Sequence, residues 1–191
     1  AHKLAILAAL AFNAEVDYEH LHVEGIREVT SVDIAFAEEL GYRIKLLGIA
    51  KRVDGKISQR VHPVMVKRQV PIANVEGVNN AVVAEGDFVG SILSEGAGAG
   101  AGPTASAVVA DLIDIARGIR LPTFAVPASQ LEDANPAPME SHEGGYYLRL
   151  MCLDRPGVIA GVAAALRDHD ISVETLVQRG RGPGGEAVPV V

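Results

Sequence analysis

Tyr42–Val66, YRIKLLGIAKRVDGKISQRVHPVMV, decides the fold. Its two halves, YRIKLLGIAKRV and KISQRVHPVMV, set aliphatic residues between polar ones, and Asp54–Gly55 separates them. Asp-Gly adopts the positive-φ backbone of a two-residue turn at little cost, so the stretch predicts an antiparallel hairpin. His62 falls in the second strand and reads as a core or edge residue there.

On the N-terminal side, VDIAFAEELG predicts a helix with Ser31 as N-cap, Asp33 in the first turn and Gly41 just past its end. Tyr18–Arg27 is a mixed connection whose last part, EGI (Glu24–Ile26), predicts a short strand. On the C-terminal side, Asn79–Ala84 and Asp87–Leu93 predict two more strands with Glu85–Gly86 as their turn. Helices and antiparallel strands alternate without a βαβ rhythm. The expected class is α+β, a mixed sheet with helices on one face.

Ala1–Phe12, AHKLAILAALAF, is apolar nearly all round after His2 and Lys3. Such a helix is expected to be buried on every side. Lys3 would then sit in the first turn, where the helix dipole and desolvation both disfavour an ammonium, one way to prepare an acid/base lysine. The competing reading is a first-turn lysine that reaches water.

Gly96–Gly118, GAGAGAGPTASAVVADLIDIARG, predicts a glycine-rich loop running into an amphipathic helix. Pro103 suits a first turn, Val108, Val109, Leu112, Ile113 and Ile115 give the apolar stripe, and Gly118 is the expected stop. The loop lacks the third glycine of a G-x-G-x-x-G fingerprint, and no Gly-Lys-Ser/Thr follows. Two readings stay open: backbone N–H groups before a helix that receive a carbonyl or anion, or a tight loop packed under another element.

Leu121–Gly145 repeats proline among Asn, Asp, Glu and Ser, which predicts a linker between domains, with Phe124–Val126 able to pair with the first sheet. From Tyr146 a second unit is expected. YYLRLMCL reads as a strand containing Cys152, Asp154–Gly157 as a turn, and VIAGVAAALRDHD as a helix. ISVETLVQRG reads as a strand, Arg181–Gly185 as a loop and EAVPVV as a strand. That order is the first part of a ferredoxin-like split βαβ unit, without its closing helix and strand.

The 191 residues are 49% hydrophobic and 4% aromatic, enough for a core of mainly aliphatic side chains. A net charge of −7 argues against a general nucleic-acid or anionic-membrane binder. No apolar run reaches the length of a membrane span and no signal peptide is recognisable, and the single cysteine fits a reducing, cytoplasmic setting. His20 and His22, with Glu19 and Glu24 near, have metal-ligand chemistry, but the spacing reads as a solvated loop and no metal site is expected. The chain opens without Met inside an expected helix and stops in an apolar run, so both ends are expected to be cut.

AHKLAILAALAF, SVDIAFAEELGYRIKLLGIAKR, the HPVMV strand and GAGAGAGPTASAVVADL together resemble the homoserine dehydrogenase family, over Ala1 to about Arg120. From Tyr146 the chain resembles an ACT domain, an amino-acid-sensing module, with the DRPG turn as its opening. The resemblance implies residues 1–120 as a substrate-binding, catalytic and dimerising domain, 121–145 as a linker and 146–191 as a partial ACT domain. It implies that Lys3 is the acid/base group in the NAD- or NADP-dependent interconversion of L-homoserine and L-aspartate 4-semialdehyde. It places Gly96, Gly98 and Gly100 near the nicotinamide, and Asp154, Arg155 and Gly157 at an effector turn, with threonine the expected effector. It also implies a homodimer or homotetramer. The nucleotide-binding domain has no counterpart here, so this chain alone is expected to turn over little. The alternative reading is an amino-acid-binding, threonine-sensing regulatory and dimerisation module.

Overall fold

The computed structural model describes residues 1–180 and 186–191, so the loop expected over Arg181–Gly185 lies outside the described residues. The chain divides into two units, Ala1–His142 and Glu143–Val191.

The first unit is built on the hairpin. Strands β2 (Tyr42–Val53) and β3 (Lys56–Lys67) pair antiparallel along their whole length, from Tyr42 opposite Lys67 to Val53 opposite Lys56. Asp54 and Gly55 carry φ of 50° and 74°, the two positive values a tight hairpin turn requires. Strand β1 (His22–Val23) adds in parallel to the other edge of β3, so the sheet is mixed and the unit is α+β. The strand expected at Glu24–Ile26 therefore lies two residues earlier. Glu24 N–H still donates to Val61 C=O, and a turn closed from Val29 N–H to Ile26 C=O then takes the chain away.

Helix α1 (His2–Phe12) packs on β2 and β3. It is not buried on every side as expected. Only Ala5, Ala8 and Ala9 are buried, while Ile6 and Leu10 are 52% and 47% exposed. Alanines let the helix backbone approach the sheet closely, with Leu4 half-buried against it, while Ile6, Leu7 and Leu10 are exposed. At the far end of α1, the Arg52 guanidinium donates to the Phe12 carbonyl and lies 5.5 Å from the Phe12 ring centroid.

Helix α2 (Ser31–Glu39) packs on β2 through Phe36 and Ala37. Its N-cap is Thr30, one residue before the expected Ser31. Asp33 N–H donates to Thr30 Oγ1, and Thr30 N–H donates back to Asp33 Oδ2 at 2.7 Å, a reciprocal capping box.

Strands β4 (Asn79–Gly86) and β5 (Gly90–Ala97) form a second hairpin. Its turn is Asp87–Val89, not Glu85–Gly86, because Gly90 at φ 72° lets pairing run on to Gly86. Helix α3 (Ala101–Ala116) buries no residue, and its apolar stripe is open, with Leu112 58% and Ile115 70% exposed.

The stretch expected as a linker clusters with the first unit as far as His142. Glu15 N–H donates to Glu132 C=O, Ile57 N–H to Asn135 C=O, and Ala137 N–H to Ile57 C=O. Asn135 Nδ2 donates to Gly55 C=O at 3.2 Å, so the strap is tied to the hairpin turn itself. Pairing thus falls at Glu132 and Pro136 rather than at Phe124–Val126.

In the second unit, β6 (Leu150–Leu153) leads through Asp154–Gly157 into α4 (Val158–Asp168), and β7 (Ala187–Val190) pairs antiparallel with β6. The strand expected at Ile171–Gly180 is reduced to a bridge between Gln178 and Val190, with two backbone hydrogen bonds between Val177 and Val191. β7 is four residues long and offers the segment a ladder only at its C-terminal end. It lies between β6 and Gln178, the arrangement of a split βαβ unit.

Solvent reaches 13647 Å² of the chain, whereas two separate compact units of this total mass would expose about 10,000 Å². Large apolar side chains are open on α3, the β4–β5 hairpin and α1, and in the second unit at Tyr146, Met151 and Ile171. Among the described residues, no helix is long and apolar enough to cross a membrane.

Candidate functional site

Lys3 stands in the first turn of α1, and its place is set by the residue after it. Leu4 lies against Gly48 in the middle of β2, where an added Cβ would stand 3.3 Å from Leu4 Cδ1. The missing side chain at position 48 lets the start of α1 approach the strand. Lys3 itself is exposed, so the desolvated lysine expected from an all-round buried helix is not found in this chain. The two apolar positions beside it, Ile6 and Leu7, are exposed as well. On its other side, the His2 ring stacks on Tyr18 with centroids 4.3 Å apart. That contact ties the first turn of α1 to the Tyr18–His22 segment.

The glycine loop joins β5 to α3, and its three glycines differ. Gly96 pairs with Asn80 in the hairpin, and the space beside its Cα is open. At Gly98 an added Cβ would collide with Asn80 Nδ2 and stand 2.8 Å from Asn80 Cγ, so the close approach there is to this side chain. Gly100 has φ 118° and ψ 157°, a backbone state essentially restricted to glycine, and it is the N-cap of α3. No side chain caps the helix, which leaves its first N–H groups without a side-chain partner. Of the two readings left open by sequence, close packing accounts for Gly98 and an open backbone face for Gly96.

No hydrogen bond, ion pair or ring contact joins Lys3 to Gly96, Gly98 or Gly100 among the described residues.

In the second unit, Gly157 at φ 91° is the N-cap of α4. Arg155 N–H donates to Leu153 C=O at 2.9 Å, and Val158 N–H to Arg155 C=O. Gln178 Nε2 lies 3.5 Å from Asp154 Oδ1, linking the turn to the segment paired with β7. Asp154, Arg155 and Gly157 are therefore brought together in one turn between strand and helix.

Sequence reasoning missed a polar group on the β3 side of the first unit. Arg60, only 5% exposed, donates from Nε to His62 Nε2 at 3.2 Å and from Nη1 to Ser58 Oγ. A guanidinium can only donate, so His62 accepts at Nε2 and carries its proton on Nδ1, 3.0 Å from Pro63 C=O. Half-buried His142 is near enough for its pKa to be lowered by burial, then by Arg60, His62 and Lys51. The alternation Ser58, Arg60, His62 on one strand face was the available signal. Among the described residues there is no cluster of three or more His, Cys, Asp or Glu side chains able to hold a metal.

A mixed sheet with helices packed on it, followed by a split βαβ unit, defines a two-part α+β chain. A homoserine dehydrogenase family profile matches residues 1–113 and an ACT domain profile matches residues 146–191. The chain belongs to the homoserine dehydrogenase family. It is 44% identical to a homoserine dehydrogenase of Pseudomonas aeruginosa over all of this chain and 45% of that protein. It is 45% identical to one of Neisseria gonorrhoeae, over 94% of this chain and 42% of that protein. The crystal structure of a homoserine dehydrogenase from Thiobacillus denitrificans superposes with a TM-score of 0.88 at 47% identity, over 99% of this chain and 44% of that one. The chain thus spans less than half the length of the relatives it matches.

Proposed function

We propose that the protein containing this chain is a homoserine dehydrogenase, interconverting L-homoserine and L-aspartate 4-semialdehyde with NAD or NADP. The family match over the first unit carries the reading. The open backbone at Gly96 and the uncapped start of α3 fit a cofactor that approaches main chain rather than side chain. Gly96, Gly98 and Gly100 lie near the nicotinamide end in this reading, with Gly98 acting through Asn80. When bound, the nicotinamide accepts or supplies the hydride at the substrate carbon.

Lys3 takes the proton from the homoserine hydroxyl through Nζ in the oxidative direction and returns it to the aldehyde oxygen in reverse. A proton acceptor must be within reach of that hydroxyl, and the Leu4–Gly48 contact holds the first turn in place to provide it. The open apolar faces of Ile6, Leu7 and α3 are where the remaining part of the enzyme packs, excluding water from the lysine. Residues 1–120 form the substrate and dimerisation part, with the strap to His142 folded onto it, and the assembly is a cytoplasmic homodimer or homotetramer. Assay of the full-length protein for homoserine-dependent reduction of NAD and NADP tests the reading. No reduction of either would overturn it.

In the second unit, Asp154, Arg155 and Gly157 form the effector turn, and threonine is the ligand proposed for it. The support is the Gly157-capped turn between β6 and α4 within an ACT-like unit. Calorimetry of the full-length enzyme with threonine decides it. Saturable heat lost in Asp154→Ala supports the site, and no saturable heat removes it.

A further inference from the structure

Lys3 sits between two side chains that are both held from outside α1. Leu4 lies on Gly48 of β2. The His2 ring stacks on Tyr18, with centroids 4.3 Å apart and planes 19° from parallel. Successive helical residues project about 100° apart around the axis, so His2 and Leu4 flank the direction of Lys3 on its two sides. The Leu4 contact sets how deep the helix lies. The ring stack opposes rotation about the helix axis, the motion that would swing Lys3 away.

The stack can do this only if Tyr18 is itself fixed, and its turn is tied to β3 at two adjacent residues. Before Tyr18, the Asp17 carbonyl accepts from Nε2 of buried Gln59 at 3.2 Å. After it, His22 pairs with Arg60. Between these ties, His20 N–H donates to Asp17 Oδ1 at 3.2 Å, and N–H of buried Leu21 donates to Tyr18 C=O at 3.4 Å. A continuous path therefore runs from β3 through Asp17, the Tyr18 ring and the His2 ring to the first turn of α1.

We infer that Tyr18 is a positioning residue for Lys3, acting through the His2 ring. The inference rests on Lys3 as the proton-transfer group. Its consequence is kinetic, because Nζ must stay within hydrogen-bond reach of the substrate hydroxyl and small misplacements cost rate. Tyr18 is 45% exposed, so removing its ring frees the first turn without opening the core.

The test is homoserine oxidation by the full-length enzyme, with kcat, KM and the unfolding midpoint measured for each variant. Tyr18→Ala and His2→Ala are each expected to lower kcat about tenfold, with KM within about twofold and the midpoint unchanged. The double variant is expected to be no slower than either single one, since both remove the same contact. Tyr18→Phe keeps the ring and is expected to restore the rate. In a Lys3→Ala background, Tyr18→Ala is expected to change nothing further. Parental kcat in Tyr18→Ala beside a crippled Lys3→Ala overturns the positioning role and leaves the dehydrogenase reading standing. Parental kcat in Lys3→Ala overturns both. A Tyr18→Phe enzyme as slow as Tyr18→Ala, multiplied losses in the double variant, a further fall in the Lys3→Ala background, or a lowered midpoint in Tyr18→Ala each overturns the positioning role as well.

Discussion

Leu4 occupies the space that a side chain at position 48 would need: a Cβ there would stand 3.3 Å from Leu4 Cδ1 and 3.5 Å from Leu4 Cβ. This contact fixes how closely the first turn of α1, and with it Lys3, approaches the long hairpin. Alanine can be absorbed by a small rotation of Leu4. A branched side chain brings two further carbons against Leu4 and needs a larger shift of it. Gly48→Val is expected to cost about 2 kcal/mol and Gly48→Ala much less, read as shifts in urea midpoint at constant slope. Equal stability of Gly48→Val and the parent chain would remove the contact as a positioning device.

The glycine loop gives a graded series. Gly100→Ala places a side chain at φ 118° and is expected to destabilise by about 1–3 kcal/mol. Gly102→Ala, inside α3 with nothing within 4 Å of its Cβ, is expected to be neutral or slightly stabilising. Gly98→Ala meets the exposed, rotatable Asn80 side chain, so its cost is expected to be small and to vanish in Asn80→Ala. Helicity and thermal midpoints of the four variants check the order, and absence of rescue at position 98 would contradict it.

Asn135 holds the strap to the hairpin turn with φ 39° and its bond to Gly55 C=O. Asn135→Ala loses the bond and strains the backbone, an expected cost of about 1–2 kcal/mol. Asn135→Gly keeps the backbone and loses only the bond, so it should cost less. Limited proteolysis between Leu121 and His142 is expected to quicken in the alanine variant, and equal cleavage rates would show that the strap is held elsewhere.

Acid sensitivity follows from His142. Burial first, then the positive charges of Arg60 and Lys51, lowers its folded pKa below the ordinary 6.5. Below pH 6.5 the unfolded chain takes up a proton that the folded chain resists. Stability from this group is therefore full above 6.5 and falls as pH drops through 6.5 toward the lowered folded value. His142→Asn is expected to flatten this limb of the pH–stability curve. An unchanged limb would place the acid response in other groups.

The central hairpin was legible because two signals agreed: alternating aliphatic residues on both sides of Asp54–Gly55, and a turn pair that accepts positive φ. Helix α2 was legible for the same reason, its cap and its stop both being local. The strap was not. Its prolines suppress a strand pattern, and it is held by isolated backbone bonds at Glu132 and Asn135–Ala137 with partners far away in the chain. The environment of Lys3 was misjudged because an apolar composition around α1 does not say what covers it. Here three alanines and Leu4 pack on the sheet, and Ile6, Leu7 and Leu10 remain open. At the glycine loop, sequence marked a glycine-rich run into a helix but neither the φ of 118° at Gly100 nor the partner of Gly98, since Asn80 is a hairpin width away in sequence.

Lys3 as the proton-transfer group is the central claim, and kcat for homoserine oxidation by the full-length enzyme carrying Lys3→Ala tests it most directly. The expected result is a fall of about 10²–10⁴-fold with an unchanged unfolding midpoint. Near-parental kcat in a folded Lys3→Ala enzyme would contradict the account.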